Sequence, residues 1–181
     1  MAGNASLNAE TVGYAKKAIQ LVDEGKVTKA DPFKNIEFAR GFLNFAWGEL
    51  LKDLSPVEAA AAYLRAIQAD SPYRNEPIAY HRLGAAILKG EFARLSAEYN
   101  EKYGAKQSSP EQRAIFDRIN HLCERAIDAY ARAVALSTNP QQQDARNKIL
   151  AQLTALYKTF HNNSDAGLNE LIAGVLARPL P

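Results

Sequence analysis

The side chains able to carry chemistry are three histidines, His81, His121 and His161, the single cysteine Cys123, and the acidic neighbours Glu98 with Glu101 and Glu124 with Asp128. Imidazoles ligate metals or move protons, a thiolate attacks carbon or sulfur, and paired carboxylates serve as general acid and base. Their spacing argues against each role. The histidines fall in three separate helical segments, no two share a face at metal-ligand spacing, and no His-Glu-x-x-His occurs. They read as ordinary surface or groove residues. Cys123 lies on an apolar stripe and reads as a small buried hydrophobe. The carboxylates read as solvated helix faces. With the ten glycines scattered, no phosphate-cradling loop is written. No catalytic residue, metal ligand or cofactor is expected, and a helical enzyme ranks last.

Composition narrows the classes further. Leu, Ala, Lys, Glu, Gln and Arg outweigh Val and Thr in a 181-residue chain, which favours helices in one domain, 1–181. The net charge of +2 is spread out, giving no reason for nucleic acid or a membrane surface. One cysteine excludes an intramolecular disulfide. No window approaches eighteen apolar residues, so a soluble chain is expected. Read as complete, the chain belongs in the cytoplasm; read as a fragment that has lost its leader, it is periplasmic or exported. The sequons Asn4-Ala5-Ser6 and Asn162-Asn163-Ser164 are chance matches without secretion.

Helix starts are written at the prolines. Ser55-Pro56-Val57-Glu58 and Ser109-Pro110-Glu111-Gln112 fit capping boxes with Pro at the first helical position; Asp31-Pro32 and Asn139-Pro140 are shorter forms. Apolar periodicity then predicts seven helices, about 9–24, 33–53, 56–70, 76–103, 110–137, 141–161 and 166–177. Short connections make neighbours antiparallel. Phe38, Phe42, Phe45 and Trp47 recur at helical spacing, yet not all four can face inward, so one is expected in a groove.

An internal echo follows. Ala59, Tyr63 and Ala66 have the spacing of Ala126, Tyr130 and Ala133, with Pro72 and Pro140 soon after each, and Ala18-Ile19-Gln20-Leu21 repeats the pattern weakly. In this and in Tyr80, Leu83, Gly84 and Ile87, the chain resembles a tetratricopeptide repeat protein. Leu150, Leu153, Thr154 and Tyr157 fit the same first-helix frame more loosely. The equivalent alanines Ala18, Ala66 and Ala133 lie 48 and 67 residues apart instead of 34. Trp47 also stands where a small residue is expected. The resemblance implies an all-α, right-handed superhelix of stacked pairs: 32–72, an extended pair 75–138, and 140–177 with a capping helix. The final Arg-Pro-Leu-Pro reads as a tail.

The resemblance also implies a concave groove lined by first helices, which selects Asn44, His81, Arg82, Lys89, Gln152 and Lys158 as contacts. Asn44, Arg82 and Lys148 only partly match the family's carboxylate clamp, and His81 and Ala85 depart from it, so that ligand is not expected. The expected role is a non-enzymatic scaffold holding a peptide or protein segment, without nucleic acid or membrane. The alternative is a self-associating assembly component, a homo-oligomer.

Overall fold

Proline opens three of the α-helices and two of the 3-10 turns among the described residues, because its missing N–H falls where a helix leaves its first amides unpaired anyway. The computed structural model describes residues 5–27, 29–103 and 109–181. Among them every regular element is helical: α1 (Ala5–Asp23), α2 (Ile36–Leu51), α3 (Pro56–Gln68), α4 (Pro77–Ile87), α5 (Ala93–Lys102), α6 (Pro110–Leu136), α7 (Gln143–Phe160) and α8 (Leu168–Gly174). Short 3-10 turns occur at Pro72–Asn75, Pro140–Gln142 and Val175–Ala177. Asn4 and Gly104 lie outside the described residues.

Local signals were not all used as expected. At Ser109 the capping box forms, with Gln112 N donating to Ser109 Oγ at 3.2 Å and Ser109 N donating to Gln112 Oε1 at 3.3 Å. At Ser55 it does not: Ser55 Oγ donates to Glu58 Oε1 at 3.3 Å and caps no amide. Helix α2 starts after Asn35 instead of at Asp31-Pro32, because Asn35 Oδ1 accepts Phe38 N at 2.7 Å while residues 31–35 form turns.

The expected helix over 76–103 is kinked. Leu88–Phe92 forms a π turn in which Gly90 leaves helical geometry, at φ −91° and ψ −107°. A Cβ on Gly90 would sit 3.0 Å from the backbone N of Val57, so the bend lets this helix press on the first turn of α3. Counting α4 and α5 as halves of one bent helix leaves seven helices among the described residues.

Packing runs in chain order: α1 on α2, α2 on α3, α3 on α4, α4 on α6, and α6 on α7, with α8 folded back on α6. Tyr63, Ile67, Leu83, Ile127, Leu153 and Val134 fill the centre with little or no exposure. Leu168 of α8 and Val175 of the turn that follows it are buried, while Leu176 is exposed. No helix among the described residues is long and apolar enough to cross a membrane.

Two contacts set the spacing of the pairs. A Cβ on Gly48 of α2 would lie 2.5 Å from the Tyr63 ring of α3, and one on Gly84 of α4 would lie 2.8 Å from the Tyr130 ring of α6. Trp47 therefore does not replace the small residue; Gly48, one position later, supplies it, and Trp47 is buried toward α1 and α3. Both tyrosine rings are buried and hemmed in, so an added methyl has no room. Gly84→Ala and Gly48→Ala should each cost about 1–3 kcal/mol of overpacking, offset by about 1 kcal/mol of helix propensity. Urea melts should show both variants destabilised, whereas Gly13→Ala, with open space around its Cβ, should be neutral or stabilising.

Candidate functional site

Along α2, Phe38, Phe42, Phe45 and Glu49 follow one another at four, three and four positions and so share a stripe. The aromatic end of the stripe is layered. Phe33, in the turn before α2, lies 5.0 Å from the Phe42 ring centroid and 6.0 Å from that of Phe38. Phe45 stacks on Tyr73 at 4.6 Å and tilts against Tyr63 at 5.6 Å. Phe42 is the outward member, 40% exposed, while Phe38 and Phe45 are half-buried and Trp47 is buried.

The polar end of the stripe is a cluster drawn from three helices. Glu49 Oε1 accepts from Tyr63 Oη at 2.8 Å and lies 2.7 Å from Arg82 Nε, whose N–H is out of hydrogen-bond alignment; Glu49 Oε2 accepts from Lys52 Nζ at 2.8 Å. One helical turn on, Lys89 Nζ donates to Asp53 Oδ1 at 2.6 Å, linking α4 to the end of α2. Lys52, Asp53, Tyr63, Arg82 and Lys89, with Ala85 and Ala86, line an open pocket of about 200 Å³.

The electrostatics follow from these contacts. Burial works to raise the Glu49 carboxyl, but hydrogen bonds from Lys52 and Tyr63 and the neighbouring cations outweigh it and hold the group below its ordinary range. Burial first, and then the Glu49 carboxylate, push the Tyr63 hydroxyl upward, so it stays a proton donor. Asp53 is held low by the Lys89 hydrogen bond and charge.

The residues expected to line a groove divide. Arg82 and Lys89 stand in the cluster, and His81 Nε2 meets Gln152 Oε1 at 3.0 Å, joining α4 to α7. These contacts make α2, α4 and α7 share one surface. Asn44 does not belong to it: it is 1% exposed, and its Nδ2 donates to the Arg40 carbonyl at 2.9 Å. Position 44 faces the helix interior because Gly48, one turn later, lies against Tyr63. Lys158 is also diverted, pairing with Asp165 before α8 at 2.9 Å. Glu49, Lys52 and Asp53 were not singled out from sequence, and Tyr63 was read only as the aromatic of the repeated Ala-Tyr-Ala spacing; the i,i+3 spacing of Glu49 and Lys52 was the one available sign of the cluster.

Elsewhere, His121 and Glu124 stand on α6, and His161 Nε2 lies 3.8 Å from Glu124 Oε1 while its ring stacks on Tyr157 at 3.8 Å. Asp128 is not a solvated acid, since its Oδ1 accepts from the buried Arg132 Nε at 2.6 Å. Glu98 pairs with Arg94 and Lys102 at the surface. Among the described residues, no three His, Cys, Asp or Glu side chains gather to hold a metal ion.

Burial pushes the Cys123 thiol up to about 12, so it carries almost no thiolate at neutral pH. Ellman's reagent should leave Cys123 unmodified in the folded chain and titrate one thiol in denaturant; rapid labelling of the folded chain would contradict this burial. For Glu49 the folded value is below the unfolded one. Its stabilisation is therefore complete above about pH 4.5 and is lost as pH falls through the folded value. Between about pH 5 and about pH 3 the melting temperature of the wild type should fall more steeply than that of Glu49→Gln.

The chain matches no protein-family model, no curated protein and no solved structure.

Proposed function

We propose that this protein is a non-enzymatic scaffold whose α2, α4 and α7 surface holds an extended peptide or protein segment, in the manner of the tetratricopeptide repeats it resembles. The observation that carries the reading is the pairing of an exposed aromatic lip with a charged but internally matched cluster. Phe42 offers an anchor ring about two helical turns before Glu49 on the same stripe, and Glu49 pairs with Arg82 and Lys52 while Lys89 pairs with Asp53. Apolar contact supplies affinity in such sites, and charged groups supply orientation and selectivity. Each charged member of the cluster already has an opposite partner, an arrangement suited to exchanging ion pairs with a ligand.

Repetition supports the same reading. Gly48 with Tyr63 and Gly84 with Tyr130 are equivalent small-residue and aromatic contacts in successive helix pairs. The helices pack on their chain neighbours, which is how stacked repeats bury a continuous core. We read Asn44 and Lys158, selected from the resemblance, as structural residues and replace them in the groove by Phe42 and Glu49.

Selection from a displayed library of random dodecapeptides on the immobilised chain should enrich binders. Phe42→Ala should weaken a selected peptide by about 30-fold in fluorescence anisotropy, the loss expected for a central aromatic anchor of about 2 kcal/mol. Its melting temperature should change little because the ring is 40% exposed. Arg82→Gln should weaken binding less, since Lys52 and Tyr63 still hold Glu49. No enrichment, or undiminished binding by Phe42→Ala, would refute the surface.

A further inference from the structure

The last four residues are held by a device that the α2, α4 and α7 surface does not use. Arg132 sits near the C-terminal end of α6 with 2% of its surface exposed. Its Nε donates to Asp128 Oδ1 at 2.6 Å, and its Nη2 donates to the main-chain carbonyl of Arg178 at 3.1 Å and to that of Pro179. The Tyr80 ring centroid lies 6.0 Å from the guanidinium carbon. A buried cation needs acceptors as well as a counter-charge. Here two of its acceptors are peptide carbonyls of a segment outside any helix.

That segment has a definite character. Arg178 is extended at φ −86° and ψ 158°, and its N–H makes the final turn bond, to the Val175 carbonyl at 3.1 Å. Prolines at 179 and 181 keep the chain extended and remove two amide donors, leaving carbonyls as its polar handles. Leu180 packs on the core cluster. His121, Glu124, Arg125, Ile127, Asp128 and Leu171 line the groove, in which about 390 Å³ remains open beside the tail. An apolar floor thus takes a leucine and a guanidinium, held by Asp128, grips the backbone. Arg178 and Pro179 stay exposed on the outer side, so the tail is bound on one side only.

We infer that the groove between α6 and α8 is a docking site for an extended Arg-Pro-Leu-Pro-like segment of another protein, which this chain fills with its own Arg178–Pro181. The chain's own tail is the evidence for the ligand chemistry: backbone carbonyls for Arg132 and a leucine for the floor, with the Arg178 side chain left on the outer face. Because the tail is tethered, it competes at high effective concentration and keeps the site closed to weaker ligands.

A fluorescein-labelled, amide-capped peptide of residues 175–181 tests this by anisotropy with the full chain. It should bind the Leu180→Asp variant, whose tail no longer seats its leucine, about tenfold or more tighter than the wild type. Adding Arg132→Lys to that variant should lower the affinity again by about tenfold, since a point ammonium cannot bridge the carbonyls and Asp128 together. Pro179→Gly with Leu180→Ser releases the tail by a second route if Leu180→Asp compromises folding. Absence of binding to both released variants, or binding indifferent to Arg132→Lys, would overturn the inference. So would a wild type that sediments as a dimer and is split by the peptide, because the occupant would then be the tail of a second copy.

Discussion

Close approach of helix backbones is the constraint on which everything else here depends. Where Gly48 meets Tyr63 and Gly84 meets Tyr130, absence of a side chain on one helix admits an aromatic ring from its partner. The ring then fills a space that two ordinary side chains would hold open. Such a contact is sensitive to a single methylene, because a packed interior has neither void nor slack. Equal contacts in successive pairs set α2 and α4 at matching depths against α3 and α6. This brings Glu49 and Arg82 within ion-pair reach, and Asp53 with Lys89 one turn further. Gly90 extends the principle to backbone against backbone: the bend there brings α4 onto the beginning of α3.

Charge plays two different parts in this framework. The Lys89–Asp53 pair is exposed on both sides and contributes little to stability, as is usual for solvated pairs. In the scaffold role we propose, it can be traded for an equivalent contact to a ligand. Arg132 is the opposite case. Its guanidinium is enclosed, so losing an acceptor would leave a desolvated charge short of partners. The exposed pair is thus easily exchanged, whereas the buried arginine holds the carbonyls of Arg178 and Pro179 in place. Glu49 lies between these extremes, half-buried and fully committed to Tyr63, Lys52 and Arg82.

The helical class, the proline-led starts and most of the core were legible in the chain, because periodicity and capping act over a few residues. Helical spacing puts Ile115, Ile119, Leu122, Ala126, Tyr130, Ala133 and Val134 on one stripe, and all of them are buried except Ile115, which is half-buried against the core. The bend at Gly90 was not legible, since a glycine within a good apolar period looks like any tolerated glycine until a neighbour presses on it. The position of Asn44 was missed for a related reason. Trp47 was read as replacing a small residue, when the true close approach lies one position later at Gly48, and a one-residue shift turns a helix face by about 100°.

What the sequence by itself determined is local: where helices begin, which residues are apolar on one side, and that Ala, Tyr and Ala recur in two of them. Tertiary structure alone decided the encounters between distant residues. It set His81 against Gln152, Arg82 against Glu49, and Arg132 against the carbonyls of Arg178 and Pro179. No spacing rule reaches across such separations, and a main-chain carbonyl has no signature in an amino-acid sequence. The groove and the clamp are products of helix placement, and helix placement is set by how closely two backbones can approach.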